Sequence, residues 1–136
     1  MKRNSRLSLA LHTLAHMAAD PQQMQTSAQI AAHAGTNPVV VRRVLGHLRA
    51  AGLLVSEKGH AGGWKLARPA QQISLADVYL ALGERLVFTE DSSGAGGCAV
   101  ENALHHKVTA LMQELEHSLT TRLSQMTILD LGAEHP

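Results

Sequence analysis

Residues 26–52 carry helix start and stop signals at intervals that leave room for little besides two short helices joined by a tight turn. Thr26-Ser27-Ala28-Gln29 fits a capping box, in which a cap hydroxyl and a glutamine three residues on satisfy each other's backbone donors. A helix is expected over 27–34, closed by Gly35 in the left-handed conformation. Asn37-Pro38 then reads as a cap followed by proline at the first helical position, where the missing N–H would be unpaired anyway. The helix it opens should run over 38–51 and end at Gly52. Two helices joined by a short turn containing glycine have helix-turn-helix spacing. Leu53-Leu54-Val55, a Gly-rich turn over 56–63 and Trp64-Lys65-Leu66-Ala67 follow directly and read as a β-hairpin, which after a helix-turn-helix is a wing.

The flanking segments extend this pattern. An amphipathic helix is expected over 5–19, with Leu7, Leu11, Leu14, Ala15 and Ala18 on its core side and a stop before Pro21. Ser74 and Asp77 form a second capping box, with Ile73 and Val78 placed as a hydrophobic staple, for a helix ending at Leu82-Gly83. Residues 91–97 are loop by composition. From 99 to 126 there is no Gly or Pro, and Leu104, Val108, Leu111, Leu115, Leu119, Leu123 and Met126 make a stripe spaced by fours and threes. Such a helix, about 40 Å long at 1.5 Å per residue, exceeds what a small domain covers and is expected to pair with a second copy.

The expected architecture is mainly α with a small β-hairpin: a winged helix-turn-helix plus a long C-terminal dimerisation helix. Residues 1–83 form the winged unit, 84–98 a connecting loop, 99–126 the dimerisation helix and 127–136 a C-terminal tail.

Charge divides the chain in the same way. Residues 1–68 carry nine Lys/Arg against two acids, a net of +7, and residues 69–136 three against nine, a net of −6, so the total of +1 is a cancellation. A basic module facing a polyanion accounts for the first half. Trp64, Tyr79 and Phe88 are the whole aromatic set, too few for the stacking platforms of single-strand readers. Lys2–Arg6 before an apolar run imitates a signal peptide, but His12 and His16 interrupt the run and its spacing is helical. No run approaches the roughly 20 apolar residues of a membrane span, and a cytoplasmic location without membrane partner is expected.

On a helical wheel Val41, Val44, Leu45 and Leu48 fall together and should face the core, which puts Val39, Arg42, Arg43, Gly46, His47 and Ala50 opposite. That face suits a major groove of double-stranded DNA: Arg forks match guanine O6/N7, and Val39 or Val40 matches a thymine methyl. Asn37 and Pro38 open the same helix. The wing adds Lys58, His60 and Lys65, with Gly62 and Gly63 allowing close backbone approach. Arg3, Asn4, Ser5 and Arg6, and Thr26 and Ser27, are placed as phosphate contacts, although Thr26 has an equal claim to a pure capping role.

Ile30-Ala31-Ala32, Val39 to Leu45, Leu48 to Leu54, Lys58 to Arg68 and Ile73 to Val78 together resemble the Rrf2 family of bacterial winged-helix regulators, over nearly the whole chain. The run from Ala51-Gly52-Leu53 through Gly62-Gly63 to Leu66-Ala67-Arg68 is the most specific part. The resemblance implies a homodimeric repressor joined by the long helix, reading DNA with its third helix and wing. Trp64 stands where tyrosine is more usual. Cluster-bearing members have three cysteines before the long helix, whereas this chain has only Cys98, so no iron–sulfur cofactor is expected even with Asp91, Glu101, His105 or His106 as extra ligands. Cys98 is instead a candidate thiol sensor near a helix N-terminus. His12 and His16, four apart on one helix face, have a spacing that suits zinc or nickel, but no thiol-bearing second pair accompanies them and no metal is assigned. The effector is open between small-molecule and redox. Alternatives are a winged-helix protein-interaction module without DNA binding, or a metal-responsive repressor using histidines. No HExxH, nucleophile elbow, paired carboxylate or phosphate loop appears, so an enzyme is not expected.

Overall fold

The computed structural model describes residues 5–59, 62–83 and 98–133. Arg3, Asn4, His60, Asp91 and the connection over 84–97 lie outside them. The elements are α1 (Ser5–Ala19), α2 (Ser27–Ala34), α3 (Pro38–Ala50), β1 (Leu54–Glu57), β2 (Gly63–Leu66), a 3₁₀ turn (Ala70–Gln72), α4 (Leu75–Leu82), α5 (Ala99–Ser124) and α6 (Ile128–Ala133).

The helix ends follow from local chemistry. Thr26 Oγ1 accepts from Gln29 N at 3.1 Å while Gln29 Oε1 accepts from Thr26 N at 2.9 Å. Gly35 ends α2 at φ 73°, a left-handed conformation that costs glycine little. Asn37 Oδ1 accepts from Val40 N at 3.0 Å, with Pro38 opening α3. Ser74 and Asp77 reciprocate at 3.0 and 2.9 Å to start α4. Each cap satisfies donors that the first turn of a helix leaves unpaired.

The core is aliphatic. Val41, Val44, Leu45 and Leu48 of α3 are buried, as the wheel requires, together with Ile73 and Val78 flanking the start of α4. The buried face of α1 differs from the expected one. It consists of Leu9, Ala10, Thr13, Leu14 and Met17, whereas Leu7, Leu11 and Ala18 are only half-buried and His12 and His16 are exposed. Several elements pack against α1, and their positions rather than its own apolar count set its rotation.

β1 and β2 pair antiparallel in the register Leu54↔Leu66, Val55↔Lys65, Ser56↔Trp64, Glu57↔Gly63. Both strands are displaced by a residue or so from the sequence-based spans. Gln25 adds a bridge: its N–H donates to Trp64 O at 3.1 Å, and Trp64 N–H donates to Gln25 O at 2.8 Å. The entry to α2 is thereby stitched to the wing.

The end of the chain departs most from expectation. α5 stops at Ser124, so Met126 lies beyond it, and the stretch expected as a tail folds back. Leu75 N–H donates to Met126 O at 2.8 Å and Ile128 N–H to Ile73 O at 2.9 Å, which places Ile128 in the core with no exposed surface. Thr127 and Asp130 then cap α6, which packs against α1. Ile128→Ala is expected to cost about 2–5 kcal/mol of unfolding free energy, the range for truncating a fully buried aliphatic side chain, read from the midpoint of urea unfolding. A true tail residue would show no change.

Candidate nucleic-acid interface

α3 presents the outer face read from its sequence. Val39 is 58% exposed and Val40 37%, and Arg42, Arg43 and His47 are exposed beside them. Gly46 lies on that face with open space where a Cβ would stand, which leaves the helix flank low. The α3 start is held by Asn37 and Pro38, and the α2 start by Thr26, so two helix N-termini with their partial positive charge belong to this part of the molecule.

The wing is braced against the helices by one aromatic residue. Trp64 is 8% exposed, and its indole Nε1–H donates to Ser27 Oγ at 2.9 Å. Arg49, at the end of α3, lies with its guanidinium carbon 5.7 Å from the centre of the Trp64 ring, within cation–π range. Arg49 Nη1 also donates to Ser56 Oγ at 2.9 Å. Ser56 and Trp64 are cross-strand partners and share a face of the hairpin; Val55 and Lys65 share the other. Lys58, near the hairpin tip, is exposed and Lys65 half-buried.

Three residues expected at a DNA surface also have partners inside the fold. Ser27 accepts the indole hydrogen bond. Gly62 is buried, and a Cβ there would stand 2.3 Å from Glu57 O. Gly63 has φ +140°, and a Cβ would stand 2.6 Å from Gln25 O. The two glycines let the hairpin close on itself and let Gln25 pair beside it. Nothing local in the sequence marks Gln25 as their neighbour. Thr26 acts as a cap, Arg6 is half-buried on α1, and Ser5 is the first residue of that helix.

Ser27→Ala strands the buried indole N–H of Trp64. It is expected to lower stability by about 1–3 kcal/mol with the salt dependence of DNA binding unchanged. Lys58→Ala is expected to leave stability unchanged and to reduce the slope of log K against log salt by about 0.9, the amount that one neutralised phosphate contributes. Chemical denaturation and a salt titration separate the two roles.

α5 has no buried residue. Its outer stripe is open, with Leu104 61%, Val108 42%, Leu111 52% and Leu115 47% exposed. Leu119 and Leu123 turn off that stripe and are half-buried, Leu123 against the core. Glu116, on the inward side, accepts from the buried Tyr79 hydroxyl with both carboxylate oxygens, at 2.8 and 3.0 Å, and fixes α5 to α4.

Cys98 is the exposed N-cap residue of α5. The backbone N–H groups of Glu101 and then Val100, at the start of the helix, hold its thiol below the ordinary range. No helix among the described residues is long and apolar enough to cross a membrane.

A family model described as Rrf2, iron-dependent transcriptional regulator, matches residues 3–134. YwnA of Bacillus subtilis (strain 168), whose name places it with the HTH-type transcriptional regulators, is 33% identical over 125 residues, spanning 88% of this chain and 91% of YwnA. Among solved structures, that of a transcriptional regulator from Lactobacillus plantarum matches with a TM-score of 0.76 at 21% identity, over 95% of this chain and 88% of the other. That of CymR, the global cysteine regulator of B. subtilis, matches with a TM-score of 0.71 at 18% identity, over 100% and 99% of the two chains. These two likenesses establish the winged-helix fold. The iron in the family description has no cluster-building ligand set here, because Cys98 is the chain's one cysteine and clusters are held mainly by several thiolates.

Proposed function

We propose that this chain, which belongs to the Rrf2 family of transcriptional regulators, acts as a homodimeric repressor that reads a near-palindromic operator with α3 and follows the backbone with its wing. The family is one of DNA-binding regulators rather than enzymes. The observation that carries the reading is the exposed Val39, Val40, Arg42, Arg43 and His47 face of α3, flanked by a hairpin braced through Trp64, in the half of the chain with a net charge of +7. Arg42 and Arg43 act as base-reading forks, Val39 and Val40 as thymine-methyl contacts, and Lys58, Lys65, Arg6 and the α2 start as backbone contacts. Arg3, Asn4 and His60 belong to the same proposal by position in sequence alone.

The stripe Leu104, Val108, Leu111 and Leu115 supports the dimer. An apolar row of this length facing solvent is what an isologous helix pair covers. Two recognition helices then enter successive major grooves about 34–36 Å apart. Regulation of this kind takes place in the cytoplasm, where the DNA is.

The test is a gel-shift titration of the full chain against fragments of its own upstream region at several salt concentrations. Salt-sensitive binding that selects one near-palindromic fragment is expected. Equal affinity for all fragments overturns the reading.

An exposed thiol with a lowered pKa favours a redox input at Cys98. A peroxide that takes two thiols to one disulfide, leaving water, would join the two copies across the dimer. Two outcomes are expected: alkylation of Cys98 with a pH midpoint below that of a free cysteine thiol, and a peroxide-induced change in operator affinity that Cys98→Ser removes. Equal affinity in all four combinations of protein and peroxide leaves Cys98 without a sensing role.

A further inference from the structure

Away from Cys98, the sequence pairs His12 with His16 by their spacing on α1. The structure adds His33, from the last turn of α2. One nitrogen from each of the three imidazoles lies within 4.8 Å of the others. The ring centres are 4.4 Å apart for His12 and His16, 4.1 Å for His16 and His33, and 5.3 Å for His12 and His33. His16 Nε2 and His33 Nε2 approach to 2.8 Å, where one ring's N–H donates to the other's lone pair. All three rings are exposed, and a recess of about 330 Å³ beside them is lined by His16, His33, Asp20, Gln23, Gln25 and Gln29.

Three imidazole nitrogens at tetrahedral positions, each about 2.0–2.1 Å from a zinc-sized ion, are about 3.3 Å from one another. His16 Nε2 and His33 Nε2, at 2.8 Å, stand a little inside that value and the three nitrogens lie within 4.8 Å of one another, so side-chain rotations alone bring them onto one ion. His16 and His33 are 17 residues apart. The helices that carry them are packed together by the hydrophobic core, so the group is assembled by the fold before any ion arrives.

We propose that His12, His16 and His33 form a binding site for a late first-row divalent metal ion of the zinc, cobalt and nickel class, which clamps α1 to α2 and keeps its remaining coordination position open to water. The donor set selects that class: it is imidazole throughout, without the thiolates of a cluster or the oxygen cage of calcium or magnesium. The site stands apart from the DNA-reading proposal, because it is defined by metal binding alone.

The test uses the full-length chain without an affinity tag, freed of metal by chelator. Cobalt(II) is titrated and followed by its visible d–d absorption, and zinc is added in competition. One cobalt per chain, tetrahedral bands and displacement by zinc are expected. His16→Gln and His33→Gln, each with wild-type far-UV circular dichroism, are expected to weaken cobalt binding at least about tenfold. His105→Gln with His106→Gln is expected to leave it unchanged. Saturating zinc should also raise the thermal midpoint of the wild type and not that of His33→Gln. Absence of saturable binding, wild-type affinity in both single variants, or an equal loss in the His105/His106 variant overturns the site and leaves a packed histidine cluster only.

Discussion

Replacing Arg42 and Arg43 together by alanine is expected to remove sequence-selective DNA binding and leave the fold intact. Each bidentate arginine–guanine pair discriminates by about 1–3 kcal/mol, so the two account for roughly 2–6 kcal/mol per subunit. That is a loss of about thirtyfold to more than ten-thousandfold, doubled in free energy where both copies engage. Both side chains are exposed on α3, whose core face is Val41, Val44, Leu45 and Leu48, so thermal stability should stay within about 0.5 kcal/mol of wild type. The salt slope identifies what they touch. If they read bases, operator preference collapses with little change of slope. If they neutralise phosphates, affinity falls for all sequences and the slope drops by about 0.9 for each phosphate no longer neutralised. Unaltered operator affinity would place DNA reading elsewhere on the molecule.

The second large effect concerns the long helix. Leu111→Glu with Leu115→Glu is expected to convert a dimer into a monomer by sedimentation, because two carboxylates per copy would have to be desolvated in a self-complementary apolar seam. The second half-site then no longer benefits from effective concentration, and operator affinity should fall by about 10²–10⁴. Both leucines are about half exposed in the single chain, at 52% and 47%, so the monomer itself keeps its core. Deleting everything after residue 97 is a poorer test. It also removes Ile128 from the core, and Glu116 from the buried Tyr79 hydroxyl, and would confuse unfolding with dissociation. A double variant that still sediments as a dimer would assign the interface to another surface.

Legibility in the sequence tracks the range of the interactions. The two capping boxes, the Asn37-Pro38 start and the Gly35 and Gly83 stops involve partners within about four residues, and the structure has them where the sequence places them. The α3 wheel is equally readable, since four buried positions in thirteen residues leave one orientation. The rotation of α1 is not. Leu7 and Leu11 compete with Leu9, Ala10 and Met17 for the inward side, and only the packing of other elements against that helix settles the choice. Gly62 and Gly63 illustrate the same limit at the candidate interface. A Gly-rich turn reads alike whether it opens to a phosphate or closes on Gln25.

The order of the five helices α1 to α5 with the hairpin among them, the basic half, the Arg42–Arg43 face and the shortage of thiols are all written in the chain itself, because they depend on neighbouring residues and on simple counts. Which distant residues meet is settled by packing alone. Trp64 reaches back to Ser27 and Gln25, Ile128 returns to Ile73, Glu116 takes the Tyr79 hydroxyl, and His33 joins His12 and His16. No periodicity marks those partners in advance. Each pairing is imposed when burial of the aliphatic core brings the helices and the hairpin together, and buried polar groups such as the Trp64 indole must then find hydrogen bonds among whatever lies within reach.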